Sequence, residues 1–128
     1  MSNEEIIAYW HTADVKVNTF SQESLTAFNL QESTLAFLSN VGLPDEAAPY
    51  LNFTELERVD AAYQISGQFA HFIKIGFDGA GNPIVINTSE NDLIQWLDHE
   101  DNFAPHYVNS SLATLSTCMV LYISLLDI

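Results

Sequence analysis

The sequence is organised around an apolar β-hairpin between residues 69 and 87. Two runs rich in isoleucine, phenylalanine and valine flank segment 78–82, whose aspartate, glycines and asparagine favour turn conformations. Pro83 opens the second run, where a missing N–H does least damage to a strand ladder. The apolar triplet 84–86 predicts a strand covered on both faces. Because a hairpin alone is unstable in water, helices or further strands must pack against it.

Alternation in the first run predicts a strand that already includes Phe69. Phe69, His71, Ile73 and Ile75 are expected to share one face. His71 is therefore interpreted as a strand histidine with a satisfied hydrogen bond and not as a ligand.

A helix is predicted over residues 31–41, where Leu35 and Leu38 are spaced for one buried face. Gly42 suits the left-handed position that follows a helix, and Pro44 prevents the helix from resuming. The following residues, 45–48, are expected to form a turn or a single helical turn closed by Pro49. Short strands are predicted near 50–53, 56–59 and 93–97.

The N-terminal segment 3–10 also has a helical pattern. Ser2 or Asn3 is expected to cap it, and its two glutamates suit the positive end of a helix. Ile6, Ile7 and Trp10 form its predicted buried stripe.

The last helix is predicted over residues 110–126, with Asn109 as its N-cap. This segment has no charged residue, and such helices are usually buried on more than one side. It is therefore expected to lie between the sheet and other elements or to form a homodimer contact. Cys118, the only cysteine, excludes an intrachain disulfide and is expected to be buried. The predicted buried face contains Leu112, Leu115, Met119, Tyr122 and Leu126.

Composition and charge restrict the class of protein. With 128 residues and 48% hydrophobic content, the chain is expected to fold as one domain over residues 1–128. Seventeen acidic residues against three basic ones give a net charge of -14. Such a surface repels nucleic acids and anionic membranes and attracts cationic proteins, although solubility or a saline habitat would explain it equally well. An acidic N-terminus and the lack of a long apolar run predict a cytoplasmic location.

The ionisable side chains give little support for catalysis. The acidic loop 98–102 contains carboxylates and a histidine, but neighbouring side chains in a loop point apart, and such loops are usually just solvated. The four histidines lack the spacing of a zinc site, and segment 78–82 lacks the glutamate of a calcium loop. The chain is therefore expected to be a non-enzyme without metal or cofactor. A carboxylate-dependent hydrolase would instead bring His71, His106 and an acidic pair into one pocket.

Four short motifs are spread in order over about two-thirds of the chain. They are Phe37-Leu38 leading to Gly42-Leu43-Pro44, the run 72–76 followed by Asp78, the triplet 84–86, and residues 108–112 at the start of the last helix. Together these motifs resemble the SUKH superfamily, and most closely its fourth subgroup, which consists of bacterial immunity proteins.

The resemblance implies an α+β fold with a mostly antiparallel sheet packed by N-terminal helices and a long C-terminal helix. It also implies binding and neutralisation of a cognate toxin, commonly a nuclease or a nucleic-acid deaminase. An acidic surface would occupy the basic groove of such a toxin in place of phosphate. A SUKH-type adaptor for another intracellular protein is the alternative. The family motifs mark the fold, so the candidate interface comes from the densest acidic runs: Asp98, Glu100, Asp101, Glu55, Glu57 and Asp60.

Overall fold

A computed structural model describes residues 1–48 and 50–126. These residues form a six-stranded antiparallel sheet, a two-stranded ribbon, five α-helices and two 3-10 helices, which is the predicted α+β architecture. The α-helices are α1 (Asn3–Thr12), α2 (Gln22–Leu25), α3 (Glu32–Asn40), α4 (Val59–Tyr63) and α5 (Leu112–Leu126). The strands are β1 (Val17–Asn18), β2 (Leu43–Pro44), β3 (Glu46–Ala47), β4 (Leu51–Arg58), β5 (Phe72–Phe77), β6 (Pro83–Asn87), β7 (Leu93–Asp98) and β8 (Ala104–Asn109).

The predicted hairpin forms the centre of the large sheet. The strand order is β3-β4-β5-β6-β7-β8, and β5 pairs antiparallel with β6. Every residue of β6 is buried, so the predicted burial of residues 84–86 on both faces is confirmed. Ile73, Ile86 and Ile94 lie opposite one another on three neighbouring strands.

The start of β5 differs from the prediction. Gly67–Phe69 forms a 3-10 helix, and the Ser66 hydroxyl accepts a hydrogen bond from the Gln68 N–H at its start. This tight turn keeps Phe69 and His71 out of the strand, which begins at Phe72.

The two faces of the sheet are covered by clusters of different size. Val85 lies between Ile84 and Ile86 on β6, so its side chain points to the opposite face from theirs. The large core lies on the isoleucine face and includes Trp10, Leu38 and Met119 from α1, α3 and α5. The smaller core lies on the valine face and consists of Val59, Phe72, Val85 and Leu97, with Tyr63, Ile65, Phe69 and Phe103 packed against it.

Helix α1 begins with a capping box. The Ser2 hydroxyl accepts from the Glu5 N–H at 3.1 Å, and Glu5 accepts from the Ser2 N–H at 3.0 Å. The hydrogen bond from the Ser2 N–H to the Glu5 carboxylate, and after it the Ser2 hydroxyl, lower the pKa of Glu5. Ile6 and Trp10 are buried as predicted, but Ile7 is exposed because it lies about 100° further round the helix.

Helix α3 ends where the sequence predicts. Gly42 has a φ of 79°, and its N–H donates to the Phe37 carbonyl at 2.9 Å. A Cβ at Gly42 would lie 2.2 Å from the Asn18 carbonyl oxygen. Both this close approach and the positive φ therefore require glycine at this position. Leu38 is fully buried, whereas Leu35 is half-buried.

The segment after α3 differs most from the prediction. The expected turn over 45–48 contains strand β3, which pairs with the start of β4. The two predicted short strands join into β4, and a register shift between Phe53 and Glu57 separates its two halves. The predicted role of Pro49 lies outside the described residues.

The prediction that Asn109 caps the last helix is wrong. Asn109 is the final residue of β8, and α5 begins three residues later. The Ser111 hydroxyl accepts from the Thr114 N–H at 3.1 Å and is therefore the capping group.

Helix α5 is buried on one side only. It contacts α1, α3 and β8, and these elements cover Leu112, Leu115 and Met119. Cys118, Tyr122 and Leu126 are exposed, so their predicted burial is wrong. No second layer of the described chain covers their side of the helix.

Candidate functional site

The acidic loop after β7 is fixed by hydrogen bonds to Asp98. The Asp98 carbonyl accepts from the N–H groups of Asp101 at 3.0 Å and Phe103 at 2.8 Å. The Asp98 carboxylate accepts from the Glu100 N–H at 3.0 Å. Asp98 therefore holds the loop in shape, while the side chains of Glu100 and Asp101 are exposed.

A second turn supports this loop. The Asp78 carboxylate accepts from the N–H groups of Ala80 and Asn82, both at 2.9 Å, as expected of a hairpin turn. The side-chain oxygen of Asn82 accepts in turn from the His99 N–H at 3.2 Å. The two turns therefore form one corner of the molecule.

Phe103 ties the acidic loop to α4. Its ring lies 5.2 Å from that of Tyr63 and 5.9 Å from that of Phe69, on the valine face of the sheet. Asp60 lies at the start of the same helix and accepts two hydrogen bonds from the Arg58 guanidinium, at 3.1 and 3.3 Å. Asp60 is thus the one candidate interface residue that already has a cationic partner among the described residues.

The few cations of the chain have partners. Lys16 lies 3.3 Å from the Asp45 carboxylate. Lys74 lies opposite Glu57 in the sheet, yet its ammonium group lies over the rings of Tyr63 and Phe77, at 5.3 and 5.7 Å from their centres. Within residues 1–48 and 50–126, ion pairs join only Lys16 to Asp45 and Arg58 to Asp60. The candidate residues Asp98, Glu100, Asp101, Glu55 and Glu57 therefore remain uncompensated in the described structure.

The fold does not merge the two acidic runs into one patch. Glu57 lies on β4, which β5 and β6 separate from β7 and the acidic loop, and it lines a hollow with Ala27 and Phe28. Glu55 precedes it in the irregular part of β4 and lines a hollow with Phe20 and Leu56. Glu55 therefore faces α2 and not the loop.

The histidines do not form the arrangement that a hydrolase needs. The His71 ring lies 4.1 Å from that of Phe72, before β5, and the His106 ring stacks on Trp96 at 4.3 Å, on β8. Two strands separate these positions. Across the described chain, no group of three or more histidine, cysteine or acidic side chains could hold a metal ion.

A family model described as SUKH-4 immunity protein matches residues 9–127. The chain belongs to the SUKH-4 immunity protein family. The match extends over all eight strands and over α5, and it contains the four motifs that suggested the superfamily. Comparisons with curated proteins and with solved structures find no significant match.

One buried carboxylate in this SUKH-4 chain was not anticipated from the sequence. Asp92 is 3% exposed, and its carboxylate accepts from the Gln31 N–H at 2.8 Å, immediately before α3. An acidic group at this end of a helix is favoured by the helix dipole. The two residues are 61 positions apart, so no local pattern in the sequence could have paired them.

An uncharged stripe runs along the outer side of α5 in the same chain. Leu121 is 54% exposed and Leu125 is 65% exposed, and Cys118, Tyr122 and Leu126 are exposed beside them. We call these five residues the α5 stripe. In the described structure, no helix is long and apolar enough to span a membrane.

Proposed function

We propose that this SUKH-4 protein acts in the bacterial cytoplasm as a single domain that binds a cognate toxin and neutralises it without catalysis. One observation carries the proposal beyond family membership. Among the described residues, Glu55, Glu57, Glu100 and Asp101 are exposed and have no cationic partner. A surface of this kind gains electrostatic free energy when a cationic protein approaches it.

The charge also favours a class of toxin. A nuclease or nucleic-acid deaminase needs a basic groove to hold its phosphate-rich substrate. An acidic protein with a net charge of -14 can bind that groove and exclude the substrate. A basic, nucleic-acid-acting toxin is therefore the partner that best complements this surface.

The proposal is tested by protection in cells. The probe is the protein encoded by the gene beside that of this chain, expressed from an inducible promoter in a host that lacks both genes. We expect growth arrest when it is expressed alone and restored growth when this chain is co-expressed. A SUKH-4 protein from an unrelated locus, expressed to the same level, is the control and should not protect.

Two outcomes would contradict the proposal. A neighbouring protein that binds this chain but does not arrest growth would favour the adaptor. Protection that persists without physical association, as measured by co-purification, would favour an enzymatic activity against the toxin or its product.

The α5 stripe supports a further part of the proposal, namely that the protein forms a homodimer. Two copies with a charge of -14 each repel one another, and the repulsion is weakest where the surface has no charge. The stripe is such a surface, and it is apolar enough to gain free energy on burial.

Sedimentation at several protein concentrations tests the homodimer. We expect a concentration-dependent dimer for the wild type and a monomer for Leu121→Glu/Leu125→Glu. The control Ser33→Glu/Ala36→Glu adds the same charge at exposed positions of α3 and should leave the dimer largely intact. A wild type that is monomeric at all concentrations would refute this part of the proposal.

A further inference from the structure

A groove runs along the outer edge of β4, and three hollows form it. The first, of about 420 Å³, adjoins the second, of about 270 Å³, through Phe20 and Glu55. The second adjoins the third, of about 580 Å³, through Phe28. We call the whole groove the β4 groove. It extends between β4 and the segment 20–28, which contains α2, from Lys16 at one end to Arg58 at the other.

One wall of this groove is strand edge. Strand β3 pairs with β4 only at Leu51 and Asn52, and the Phe53 N–H donates to the Asp45 carbonyl. Beyond Phe53, no strand of the described chain pairs with the outer edge of β4 over residues 54–58. An unpaired edge presents backbone N–H and C=O groups to which an extended segment can add as a further strand.

The opposite wall and the floor are apolar. Leu25 is buried at the base, and Phe20, Phe28 and Leu56 are half-buried along the groove. These side chains form contacts for the apolar residues of an extended segment, in which successive side chains point in opposite directions.

The charges of the groove favour a cationic occupant. Lys16 and Arg58, at the two ends, already pair with Asp45 and Asp60. Glu55 and Glu57, between them, are exposed and have no ion-pair partner among the described residues. The uncompensated charge therefore lies beside the unpaired strand edge.

We propose that the β4 groove binds an extended segment of the toxin, about five residues long, in which basic and apolar side chains alternate. The length follows from the unpaired stretch 54–58, which spans about 17 Å at the rise of a β-strand. The basic side chains of this segment pair with Glu55 and Glu57, and its apolar side chains contact Phe20 and Phe28. This inference rests on the proposed function for the identity of its partner, but the groove is testable without the toxin.

The first experiment uses a capped five-residue peptide in which lysine and valine alternate. We expect its titration to shift the backbone amide NMR signals of residues 54–58 more than those of the other strands. Ala27→Trp places a large side chain on the exposed wall of the groove and should abolish the shifts. Ala36→Trp, at an exposed position of α3 outside the groove, is the matched control and should leave them unchanged.

A peptide with glutamate in place of lysine should cause no shifts. The inference is overturned if the lysine peptide leaves residues 54–58 unchanged at millimolar concentration, or if Ala27→Trp and Ala36→Trp behave alike. Association of the free protein through this edge, revealed by a dimer that Ala27→Trp dissociates, would assign the groove to a second copy and would also overturn it.

The second experiment uses the neighbouring toxin and two variants of equal net charge. Glu55→Gln/Glu57→Gln should raise the dissociation constant at least tenfold, whereas Glu4→Gln/Glu90→Gln should raise it less than about threefold, in line with the small effect of exposed charges away from a contact. Equal effects would show that only the total charge matters and would remove the groove from the interface. Because protection by the wild-type chain is measured separately, a failed groove leaves the proposed function intact, and a failed protection assay leaves the peptide result interpretable.

Discussion

At the residue scale, two side chains accept hydrogen bonds from backbone N–H groups at the N-terminal ends of helices. The Ser111 hydroxyl caps α5 from the residue next to it, and the Asp92 carboxylate binds the start of α3 from a distant turn. The first contact is local and the second is not. This difference decides which of the two a sequence can predict.

Ser111→Ala should lower the free energy of unfolding by about 0.5–2 kcal/mol, because it leaves an N–H group of the first turn of α5 without its partner. Asn109→Ala is the matched control. Its amide makes only a 3.6 Å contact with the Cys118 sulfur, so its loss should cost less than about 0.5 kcal/mol. Urea denaturation of both variants measures the difference, and a larger loss for Asn109 would restore it as the cap.

Asp92→Ala should cost about 1–3 kcal/mol, because the Gln31 N–H loses its acceptor at a partly buried site. Asp92→Asn keeps one oxygen acceptor and tolerates the φ of 58° at this position, so it should cost less. Thermal and urea unfolding of both variants tests this. If asparagine is as harmful as alanine, the negative charge and not the acceptor stabilises the site.

Local side-chain chemistry is the part of the residue scale that the sequence predicts well. Ser2 caps α1 and Gly42 ends α3 because the groups involved are at most five residues apart. The same rules placed the cap of α5 two residues too early, since both Asn109 and Ser111 are suitable capping residues. Only the length of β8, which includes Asn109, decides between them.

At the scale of elements, the buried face of α3 determines much of the stability. Leu38→Ala should cost about 2–5 kcal/mol, because it empties a site in the large core. Leu35→Ala should cost less, since Leu35 is only half-buried. Denaturant melts measure both, and a cost below about 1 kcal/mol for Leu38 would show that α3 is not a core helix.

The elements themselves were predictable where one pattern dominates. The central hairpin and α3 follow from period and turn residues alone. The continuous strand β4 could not be predicted in this way, because its register shift interrupts the alternation of side chains between Phe53 and Glu57. The outer side of α5 was also missed, since lack of charge indicates burial only when a neighbouring element is present to cover the helix.

At the scale of the whole molecule, composition predicts the sign of the electrostatic potential around the protein but not where on the surface it is strongest. The net charge of -14 is evident from the sequence. Which carboxylates stay uncompensated depends on the positions of three cations, and the fold places Lys74 over two aromatic rings instead of beside Glu57. The acidic loop and the run of Glu55, Glu57 and Asp60 were predicted from the sequence as candidate interfaces. Their separation in the folded protein could not be predicted.

The two acidic runs should affect different rate constants. Charges on an exposed rim mainly change association, whereas charges buried at the contact mainly change dissociation. Glu100→Lys/Asp101→Lys should therefore lower the association rate constant for the toxin, and Glu55→Gln/Glu57→Gln should raise the dissociation rate constant. Asp98 is left unchanged because its carboxylate holds the loop. Surface plasmon resonance separates the two effects, and a change confined to dissociation in the loop variant would place the loop inside the contact.

The central claim is that this SUKH-4 protein neutralises a basic toxin by electrostatic complementarity. Its most direct test is the association rate constant of the wild-type chain with the neighbouring toxin, measured from about 10 mM to about 1 M salt, where the screening length falls from about 30 Å to about 3 Å. The account predicts a rate constant that falls by about 10-fold to 1,000-fold over this range. A rate constant that does not change with salt, or no association at the lowest salt, would contradict it.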